Sequence, residues 1–308
     1  MAEIMSPLVN GARVVLEKQL SAPELARLYQ EKFQLDIDYL FSDTTVISLY
    51  RCTETGYRFY YPFHVSGDDE FYRHFGKYDW YYLPWKWEHE ESLKYILPED
   101  HVLEVGAANG NFLNGLKQRG IHRAVGLELN NNAAEEAGKR GLTIYTESVT
   151  DHAVTHSNQY DVVCSFQVLE HIPQVREVIE AMVTCLKPGG KLIISVPNND
   201  GYINDNPLPS KILNMPPHHM GLWNEESLRN LCRVFPLEYV KTCIEPLQPI
   251  HIDTYQYTRV KELLFDSEFL TKIYWKLRIH LLIRQVLKLF SRYIKGHSIM
   301  SIYLKRST

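Results

Sequence analysis

Two acidic residues frame a glycine-rich turn in the middle of the chain. Residues 104–110 read Glu-Val-Gly-Ala-Ala-Asn-Gly, and Glu128 ends the next apolar run at 124–127. Glycines at positions 106 and 110 let the backbone approach a ligand closely or adopt a positive φ. Glu104 would repel a pyrophosphate but attract an ammonium group, and Glu128 has about the offset at which an acidic side chain accepts hydrogen bonds from ribose hydroxyls. The pattern predicts a site for an adenosine that carries an amino-acid group.

Three histidines are the candidate catalytic residues. His171 follows Glu170 at the exit of the apolar run 160–165, and His218 and His219 lie in the proline-rich stretch 215–223. Histidine changes its charge near neutral pH and can remove a proton from an acceptor hydroxyl. In the alternative interpretation, His171 starts a helix by bonding to the backbone, and the other two only hold their loop in place.

The residues between these motifs predict the elements that position them. Apolar, β-branched runs alternate with segments of helical periodicity, which indicates right-handed βαβ units and a parallel sheet. The predicted strands are 101–105, 124–128, 142–145, 160–165 and 191–196, with helices at 112–119, 133–140 and 175–186. Farther along, the pattern predicts a helix at 225–234 and strands at 237–244 and 298–305. The candidate residues then share the carboxyl edge of one sheet.

Four motifs occur in a fixed order between positions 102 and 196: the glycine-rich turn, Glu128, the run Asp-Val-Val-Cys-Ser-Phe-Gln-Val-Leu-Glu-His at 161–171, and Leu-Lys-Pro-Gly-Gly at 186–190. Together they resemble the class I S-adenosylmethionine-dependent methyltransferases. The resemblance implies an α/β fold, with a seven-stranded Rossmann-like sheet, helices on both faces and an antiparallel last strand. One departure is Ala108, where many members have glycine; alanine should be tolerated there if its φ is negative.

The same resemblance implies roles for individual residues and a cofactor, S-adenosylmethionine, which leaves as S-adenosylhomocysteine. No metal ion is expected. Ahead of the core, an aromatic segment could fold over the cofactor, its rings attracting the sulfonium, or could instead join the leading residues to the sheet. The implied cofactor contacts are Glu104, Gly106, Ala107 and Gly110 for the methionine part, Glu128 and Leu129 for the ribose, Ser148 and Val149 for the adenine, Phe166 and Gln167 near the sulfonium, and Tyr82 and Lys86 from the aromatic segment, Lys86 toward the methionine carboxylate.

The sequence motifs indicate the methyl acceptor less clearly than the cofactor. The stretch Pro-Pro-His-His-x-x-x-Trp at 216–223 resembles a subgroup of bacterial methyltransferases associated with sugars and cell-surface glycans. A sugar hydroxyl is therefore the preferred acceptor, and a natural-product phenol or amine is the alternative. A non-catalytic scaffold protein of the same fold is disfavoured because Glu104 and Glu128 both remain, and a nicotinamide oxidoreductase is disfavoured by the glycine spacing.

The leading residues differ in character from the core. Residues 1–84 are rich in aromatic side chains and predict a small module ahead of a methyltransferase domain at 85–308. Positions 50–59 resemble the end of a zinc-ribbon-like unit that precedes some such enzymes, but Thr55 replaces the second cysteine. The remaining thiol, Cys52, cannot hold zinc alone, so we expect a degenerate, metal-free unit.

Charge is distributed unevenly along the chain. Residues 269–308 contain nine Lys and Arg and no Asp or Glu, so the net −4 of the whole chain leaves −13 for residues 1–268. This balance disfavours a nucleic-acid partner. The basic residues follow a helical spacing within a predicted insertion at about 258–295, before the last strand. Such a helix would lie on an anionic membrane, or pack on the sheet or in a homodimer; we expect packing.

Cysteine usage and the first residues bear on the compartment. The five cysteines are scattered and odd in number, the first residues lack the pattern of a secretory signal, and no apolar run is long enough to cross a bilayer. A cytoplasmic protein, with peripheral membrane contact as an option, is the resulting expectation.

Overall fold

The computed structural model describes residues 4–78, 81, 83–205, 211–264 and 267–307. Its strands are β1 (Val14–Ser21), β2 (Val46–Cys52), β3 (Arg58–Tyr61), β4 (Val102–Val105), β5 (Ala124–Leu127), β6 (Thr143–Tyr145), β7 (Tyr160–Phe166), β8 (Leu186–Pro197), β9 (Gly221–Leu222), β10 (Leu237–Pro246) and β11 (Lys295–Lys305). Its α-helices are α1 (Ala22–Phe33), α2 (Asp69–Phe75), α3 (Trp87–Ser92), α4 (Asn111–Gln118), α5 (Asn131–Lys139), α6 (Val149–Thr155), α7 (Val175–Cys185), α8 (Tyr202–Asp205), α9 (Glu225–Arg229), α10 (Ile252–Leu263), α11 (Glu268–Lys276) and α12 (Ile279–Phe290).

Seven strands form the central sheet, in the order β10, β11, β8, β7, β4, β5, β6. The pairs from β8 to β6 are all parallel, whereas β11 runs antiparallel to both of its neighbours, β8 and β10. This confirms the α/β fold class with its seven-stranded Rossmann-like sheet and antiparallel last strand.

Side chains alternate along the central strands between two hydrophobic cores. On β4, Leu103 and Val105 face the core that contains residues of α7 and α9, while Val102 faces the core that contains Phe112 and Leu116 of α4. Successive residues of a strand point to opposite faces, so both faces of the sheet are covered by helices. The carboxyl ends of the parallel strands are left to the loops.

Several predicted boundaries were wrong. Strand β8 begins at Leu186, directly after α7, so the Pro-Gly-Gly sequence extends the strand instead of only closing the helix. The predicted helix at 225–234 is α9 followed by a 3₁₀ turn at Asn230–Arg233. The insertion before the last strand begins at Ile252, earlier than the predicted 258, and it contains three helices, α10 to α12.

The leading residues form a second sheet that they share with a later part of the chain. Its order is β1, β2, β3, β9, and β9 follows the proline-rich histidine loop. The ring of Tyr57 packs against Trp223 with centroids 4.3 Å apart, and Leu8, Cys52 and Phe59 belong to the same core as β4. Residues on the two sides of the predicted boundary at position 84 therefore share one hydrophobic core.

Only part of the helical insertion is buried against the rest of the protein. Ile252 of α10 is buried against Tyr202, Ile203 and Leu247, as packing would require. Helix α12 has no fully buried residue, and Leu287 is its side chain that packs partly against this cluster. Packing of the basic segment on the sheet or on a second copy of the chain stays a prediction. Among the described residues, no helix is long and apolar enough to cross a membrane.

Candidate active site

The glycine-rich turn takes a tightly constrained path from β4 into α4. Gly106 and Gly110 have φ values of 77° and 73°, and a Cβ at position 106 would lie 2.5 Å from Val168 Cγ2. Ala108 also has a positive φ, 45°, so the negative angle under which alanine would be tolerated there without strain is not present. This left-handed conformation is typical of glycine and is strained for alanine.

Glu128 holds this turn in place. One carboxylate oxygen, Oε2, accepts a hydrogen bond from the Ala108 amide at 2.8 Å, and Oε1 accepts one from the Asn130 amide at 2.8 Å. The amides of Gly106 and Ala107 donate to the carbonyl oxygen of Leu127, both at 2.9 Å. The carboxylate therefore links the ends of β4 and β5, and it also borders the cavity described next.

A cavity of about 1450 Å³ opens at this edge of the sheet. Small-molecule pockets typically measure about 300–1,000 Å³, so this one has room for two ligands side by side. The predicted site residues that line it are Lys86, Gly106, Glu128, Leu129, Ser148, Val149, Phe166, Gln167, His171, His218 and His219. Glu104, Ala107 and Gly110 lie outside the lining, and Tyr82 lies outside the described residues.

Glu104 is buried directly before the lining residue Val105. Its side chain is 4% exposed, and Oε2 has no hydrogen-bond partner. Burial raises the pKa of this carboxyl well above its usual value, while the nearby Lys86 ammonium opposes that rise. A buried acceptor without a partner is costly. An ammonium group in the cavity would satisfy it, so the residue fits the amino-acid part of S-adenosylmethionine.

The predicted adenine and sulfonium contacts stand on the neighbouring strand ends. Ser148 caps α6, with Oγ accepting from the Asp151 amide at 3.1 Å. Phe166 packs edge-on against Phe112 at 4.9 Å. Gln167 has a φ of 58° and donates from Nε2 to Ser195 Oγ at 3.2 Å. This left-handed backbone turns the chain at the end of β7, directly before the loop with His171.

The three histidines meet at the other end of the cavity. His171 Nδ1 donates to the carbonyl oxygen of His218 at 2.6 Å, and His219 Nδ1 donates to Asn214 Oδ1 at 3.1 Å. His218 Nδ1 donates to the carbonyl oxygen of Leu213 at 2.8 Å. A proton fixed on each Nδ1 leaves a lone pair on each Nε2. One ring nitrogen of each histidine lies within 4.8 Å of the others, so the cluster could also hold a metal ion.

Burial keeps these imidazoles neutral. It lowers the pKa of His171 to about 4, and it lowers the pKa values of His218 and His219 well below the usual value. The carbonyl of His218 and the ammonium of Lys86 act on His171 in opposite directions and are smaller effects. At neutral pH, His171 therefore presents an unprotonated Nε2.

Comparison with known proteins shows which family combines these features. The profile described as a methyltransferase domain matches residues 81–242 of this chain, which is more than half of its 308 residues. The chain belongs to the methyltransferase-domain family. S-adenosylmethionine is the cofactor of this domain, as Glu104 and the glycine-rich turn led us to expect.

Curated relatives are similar to part of this chain. The ubiquinone biosynthesis O-methyltransferases of Citrobacter koseri and Salmonella arizonae are each 32% identical over 105 residues, 32% of this chain and 43% of their own length. The match thus spans less than half of these curated relatives.

Solved structures of low sequence identity are also similar to this chain. A SAM dependent methyltransferase from Archaeoglobus fulgidus is 17% identical, with a TM-score of 0.46, and the match covers 70% of this chain and 92% of that one. The geranyl diphosphate C-methyltransferase from Streptomyces coelicolor A3(2) is 13% identical, with a TM-score of 0.46 and coverage of 71% and 76%.

Two tyrosines of the leading residues reach the methyltransferase site and were missed by sequence reasoning. Tyr72 Oη donates to the carbonyl oxygen of His218 at 3.1 Å, and Tyr81 Oη donates a hydrogen bond to His218 Nε2 at 3.0 Å. The crowding of aromatic residues before the core was a signal, but it did not say which ring would meet the histidine loop.

Glu170 is a further residue that the sequence did not single out for a role. It is 1% exposed, Oε2 has no hydrogen-bond partner, and burial raises its pKa to about 8. Oε1 lies 3.9 Å from His171 Nε2. Its backbone carbonyl accepts from the amides of Met220 and Gly221 at 2.7 and 2.9 Å, so this residue joins the end of β7 to the histidine loop.

The far wall of the cavity carries a second polar group. It contains Tyr202, Glu245, His251 and His297. Tyr202 is 1% exposed and its hydroxyl has no hydrogen-bond partner, while burial raises the pKa of Glu245 to about 7. Tyr202 belongs to α8, Glu245 and His297 belong to β10 and β11, and His251 lies in the turn before α10. The residues of this wall are far apart in the sequence, so no local motif marked them.

Proposed function

We propose that this protein transfers the methyl group of S-adenosylmethionine to a hydroxyl of a sugar or glycan precursor. The observation that carries the proposal is the neutral Nε2 of His171, which shares one cavity with Gly106 and Glu128. A base at one end and a cofactor turn at the other are the two parts that hydroxyl methylation needs.

The cofactor end is assigned as follows. Glu104 receives the ammonium of the methionine part, Lys86 meets its carboxylate, and Glu128 accepts from the ribose. Ser148 and Val149 flank the adenine, and Phe166 and Gln167 lie beside the sulfonium. The unpaired oxygen of Glu104 and the cavity-facing positions of the others support these assignments.

Methyl transfer requires the chain to position the acceptor hydroxyl and to remove its proton. When bound, S-adenosylmethionine supplies a methyl group activated by the sulfonium. His171 Nε2 accepts the proton of the acceptor hydroxyl. At the same time the hydroxyl oxygen forms a bond to the methyl carbon, and the bond between that carbon and the sulfur breaks. Tyr72 and Tyr81 hold the histidine loop against this base. The products are the methyl ether and S-adenosylhomocysteine.

The far wall supports a hydroxyl-rich acceptor. The free hydroxyl of Tyr202 and the carboxyl group of Glu245 offer hydrogen-bond donors and acceptors inside a buried cavity. A few converging polar groups fix the orientation of a bound ligand, and a sugar presents several partners for them. The alternative acceptor, a phenol, is favoured by the likeness of 105 residues of this chain to O-methyltransferases of ubiquinone biosynthesis. An amine acceptor and a non-catalytic scaffold are the remaining alternatives.

Calorimetry with S-adenosylhomocysteine tests the cofactor end. Micromolar or tighter binding is expected, and the Glu104→Gln variant should weaken it at least tenfold, while the exposed Glu135→Gln serves as the matched control. Absence of binding would remove the enzyme interpretation, and binding of NADH instead would favour the oxidoreductase.

Incubation with methyl-labelled cofactor tests the acceptor end. Nucleotide sugars, glycans, phenols and amines are offered in parallel, and the position of the label is read by mass spectrometry. Label on a sugar oxygen supports the proposal. Label only on a phenol or on an amine contradicts the assigned acceptor, although the methyltransferase activity itself would then be established.

A further inference from the structure

Helix α12 presents an apolar stripe to solvent. Leu282, Val286, Leu289 and Tyr293 recur at intervals of four, three and four residues and are between 46% and 75% exposed. Residues at this spacing lie on one face of a helix. The exposed face is therefore continuous along the whole helix and into the turn that follows it.

Helix α11 adds a second stripe next to the first. Phe269, Ile273 and Leu277 are spaced by four residues and are between 37% and 71% exposed. The two helices contact each other, and α12 also contacts α10. Soluble proteins rarely leave a large contiguous apolar surface uncovered, and such surfaces mark interaction sites. We call the exposed stripes of α11 and α12 the apolar face.

Exposed basic side chains occur along the same segment as the apolar face. Lys276, Arg278, Lys288, Arg292 and Lys295 are all exposed, and the sequence has no acidic residue from position 269 onward. Arg284 instead turns toward Asp253, with Nε 3.0 Å from Oδ1. An apolar surface with a positive rim is typical of helices that lie in the headgroup region of an anionic bilayer.

We propose that the apolar face docks the protein on an anionic phospholipid bilayer, with Leu282 and Leu289 inserted among the lipids and the basic rim at the headgroups. The charge distinguishes this occupant from a second copy of the chain. A two-fold contact would bring each positive rim against its own equivalent, whereas an anionic surface complements it.

Docking would also place the cavity near the bilayer. Ile250, His251 and Thr254 line the cavity, and Thr254 lies in the first turn of α10, the helix that contacts α12. The inference is independent of the proposed acceptor. A protein that docks without methylating sugars, and one that methylates sugars without docking, are separate outcomes.

Vesicle co-sedimentation of the full-length protein tests this inference. Vesicles of phosphatidylcholine alone are compared with vesicles in which about one third of the lipid is phosphatidylserine, at low and high salt. We expect binding to the anionic vesicles that weakens at high salt, and little binding to the neutral ones. Equal binding to both compositions, or no binding to either, overturns the proposal.

Substitutions separate the apolar from the electrostatic contribution. The Leu282→Glu, Leu289→Glu double variant and the Lys276→Glu, Lys288→Glu double variant should each lower the partition coefficient by about tenfold or more. Val154→Glu, which replaces an 81% exposed residue of α6, and the Lys18→Glu, Lys77→Glu pair are the matched controls and should bind like the parent. Binding that is unchanged in the first two variants contradicts the proposal.

Light scattering on the same proteins addresses self-association. If the parent is a dimer that Leu282→Glu with Leu289→Glu converts to a monomer, and vesicles do not bind, the apolar face is an interface between copies and the membrane proposal is wrong. Thermal unfolding shows whether each variant folds. Binding of S-adenosylhomocysteine should be unchanged throughout, because no substituted residue lines the cavity.

Discussion

The Nδ1 atom of His171 lies 2.6 Å from the backbone carbonyl oxygen of His218. This bond joins the loop after β7 to the proline-rich loop before β9, and it decides which ring nitrogen of His171 carries the proton. Because Nδ1 donates, Nε2 keeps its lone pair. The other two candidate histidines also donate from Nδ1, but Nε2 of His218 is bonded to Tyr81 and His219 is buried. We therefore assign the proton transfer to His171, which is partly exposed.

Replacement of His171 by asparagine removes the base and keeps the contact. The asparagine amide can still donate toward the His218 carbonyl, but nothing replaces Nε2. General-base catalysis contributes about 10²- to 10⁴-fold, so kcat should fall by about that factor while the affinity for S-adenosylhomocysteine stays within about twofold. Steady-state kinetics and calorimetry measure the two quantities. Exposed His122→Asn is the control, and an unaltered kcat in His171→Asn would refute the assignment.

Glu170 should give the rate a pH dependence above neutrality. Its pKa is raised to about 8 by burial, so its carboxyl is mostly protonated at pH 7 and ionises as the pH rises through 8. The carboxylate then stabilises the imidazolium that forms at His171 Nε2, 3.9 Å away. We expect kcat to increase between pH 7 and about 9, and Glu170→Gln to remove that increase while the folded structure persists. Parallel profiles for the two proteins would contradict this role.

Glu104 should release a proton when the cofactor binds. Burial raises its pKa well above the usual value, which favours the protonated acid in the free protein. A ligand ammonium beside the carboxyl favours the charged form and lowers that pKa. Calorimetry of S-adenosylhomocysteine binding in buffers of different ionisation enthalpy should reveal the released proton in the parent. The release should disappear in Glu104→Gln; release that persists in this variant would point to another group.

Ala108→Gly should stabilise the protein. Left-handed alanine costs about 1–2 kcal/mol, and its relief exceeds the roughly 0.4–1 kcal/mol by which glycine favours the more flexible unfolded chain. The free energy of unfolding should therefore rise by about 0.5 kcal/mol, as measured by urea denaturation. Ala134→Gly in the helix α5, a partly exposed position where φ is negative, is the control and should lower it by about 0.5–1 kcal/mol. Equal losses at both positions would argue against strain in the turn.

His89 should make the fold sensitive to acid. It is 5% exposed, and burial lowers its pKa to about 3. In the unfolded chain this histidine binds a proton at about pH 6.5, whereas in the folded chain it stays neutral. Its contribution to the free energy of unfolding is therefore fully present above pH 6.5 and is lost as the pH falls toward 3. This amounts to roughly 2 kcal/mol at pH 5.

His89→Asn tests this origin of the acid sensitivity. Asparagine keeps an acceptor for the Lys86 amide, which donates to His89 Nδ1 at 3.3 Å, and it has no proton to gain. Between pH 7 and 5, the unfolding temperature of the parent should fall more steeply than that of the variant. The exposed His122→Asn should behave like the parent, and equal slopes in all three proteins would rule out this origin.

Local patterns were sufficient for the central sheet. Strands β4 to β8 and the start of α4 follow from apolar periodicity and from the glycine-rich turn, because these depend on residues close together in the chain. The same holds for the grouping of Gly106, Glu128, Phe166 and His171, since the carboxyl ends of parallel strands meet at one edge.

Contacts between distant segments were not predictable from those patterns. The φ of Ala108 depends on the carboxylate of Glu128, twenty residues away, and the wall with Tyr202 and Glu245 brings together residues of α8 and β10. Likewise, the spacing of Leu282 and Leu289 predicts an apolar helix face but does not say whether another element covers it.

By itself, then, the sequence determined the α/β fold class and the edge of the sheet at which chemistry occurs, because periodicity and turn residues act over short distances. The cofactor followed from the resemblance of the four ordered motifs to a known family. Only the tertiary structure decided which nitrogen of His171 is free, which tyrosines reach the histidine loop and which apolar face stays exposed. These depend on atoms brought together from positions 72, 81, 171 and 218, and such proximity exists only after the two sheets have packed.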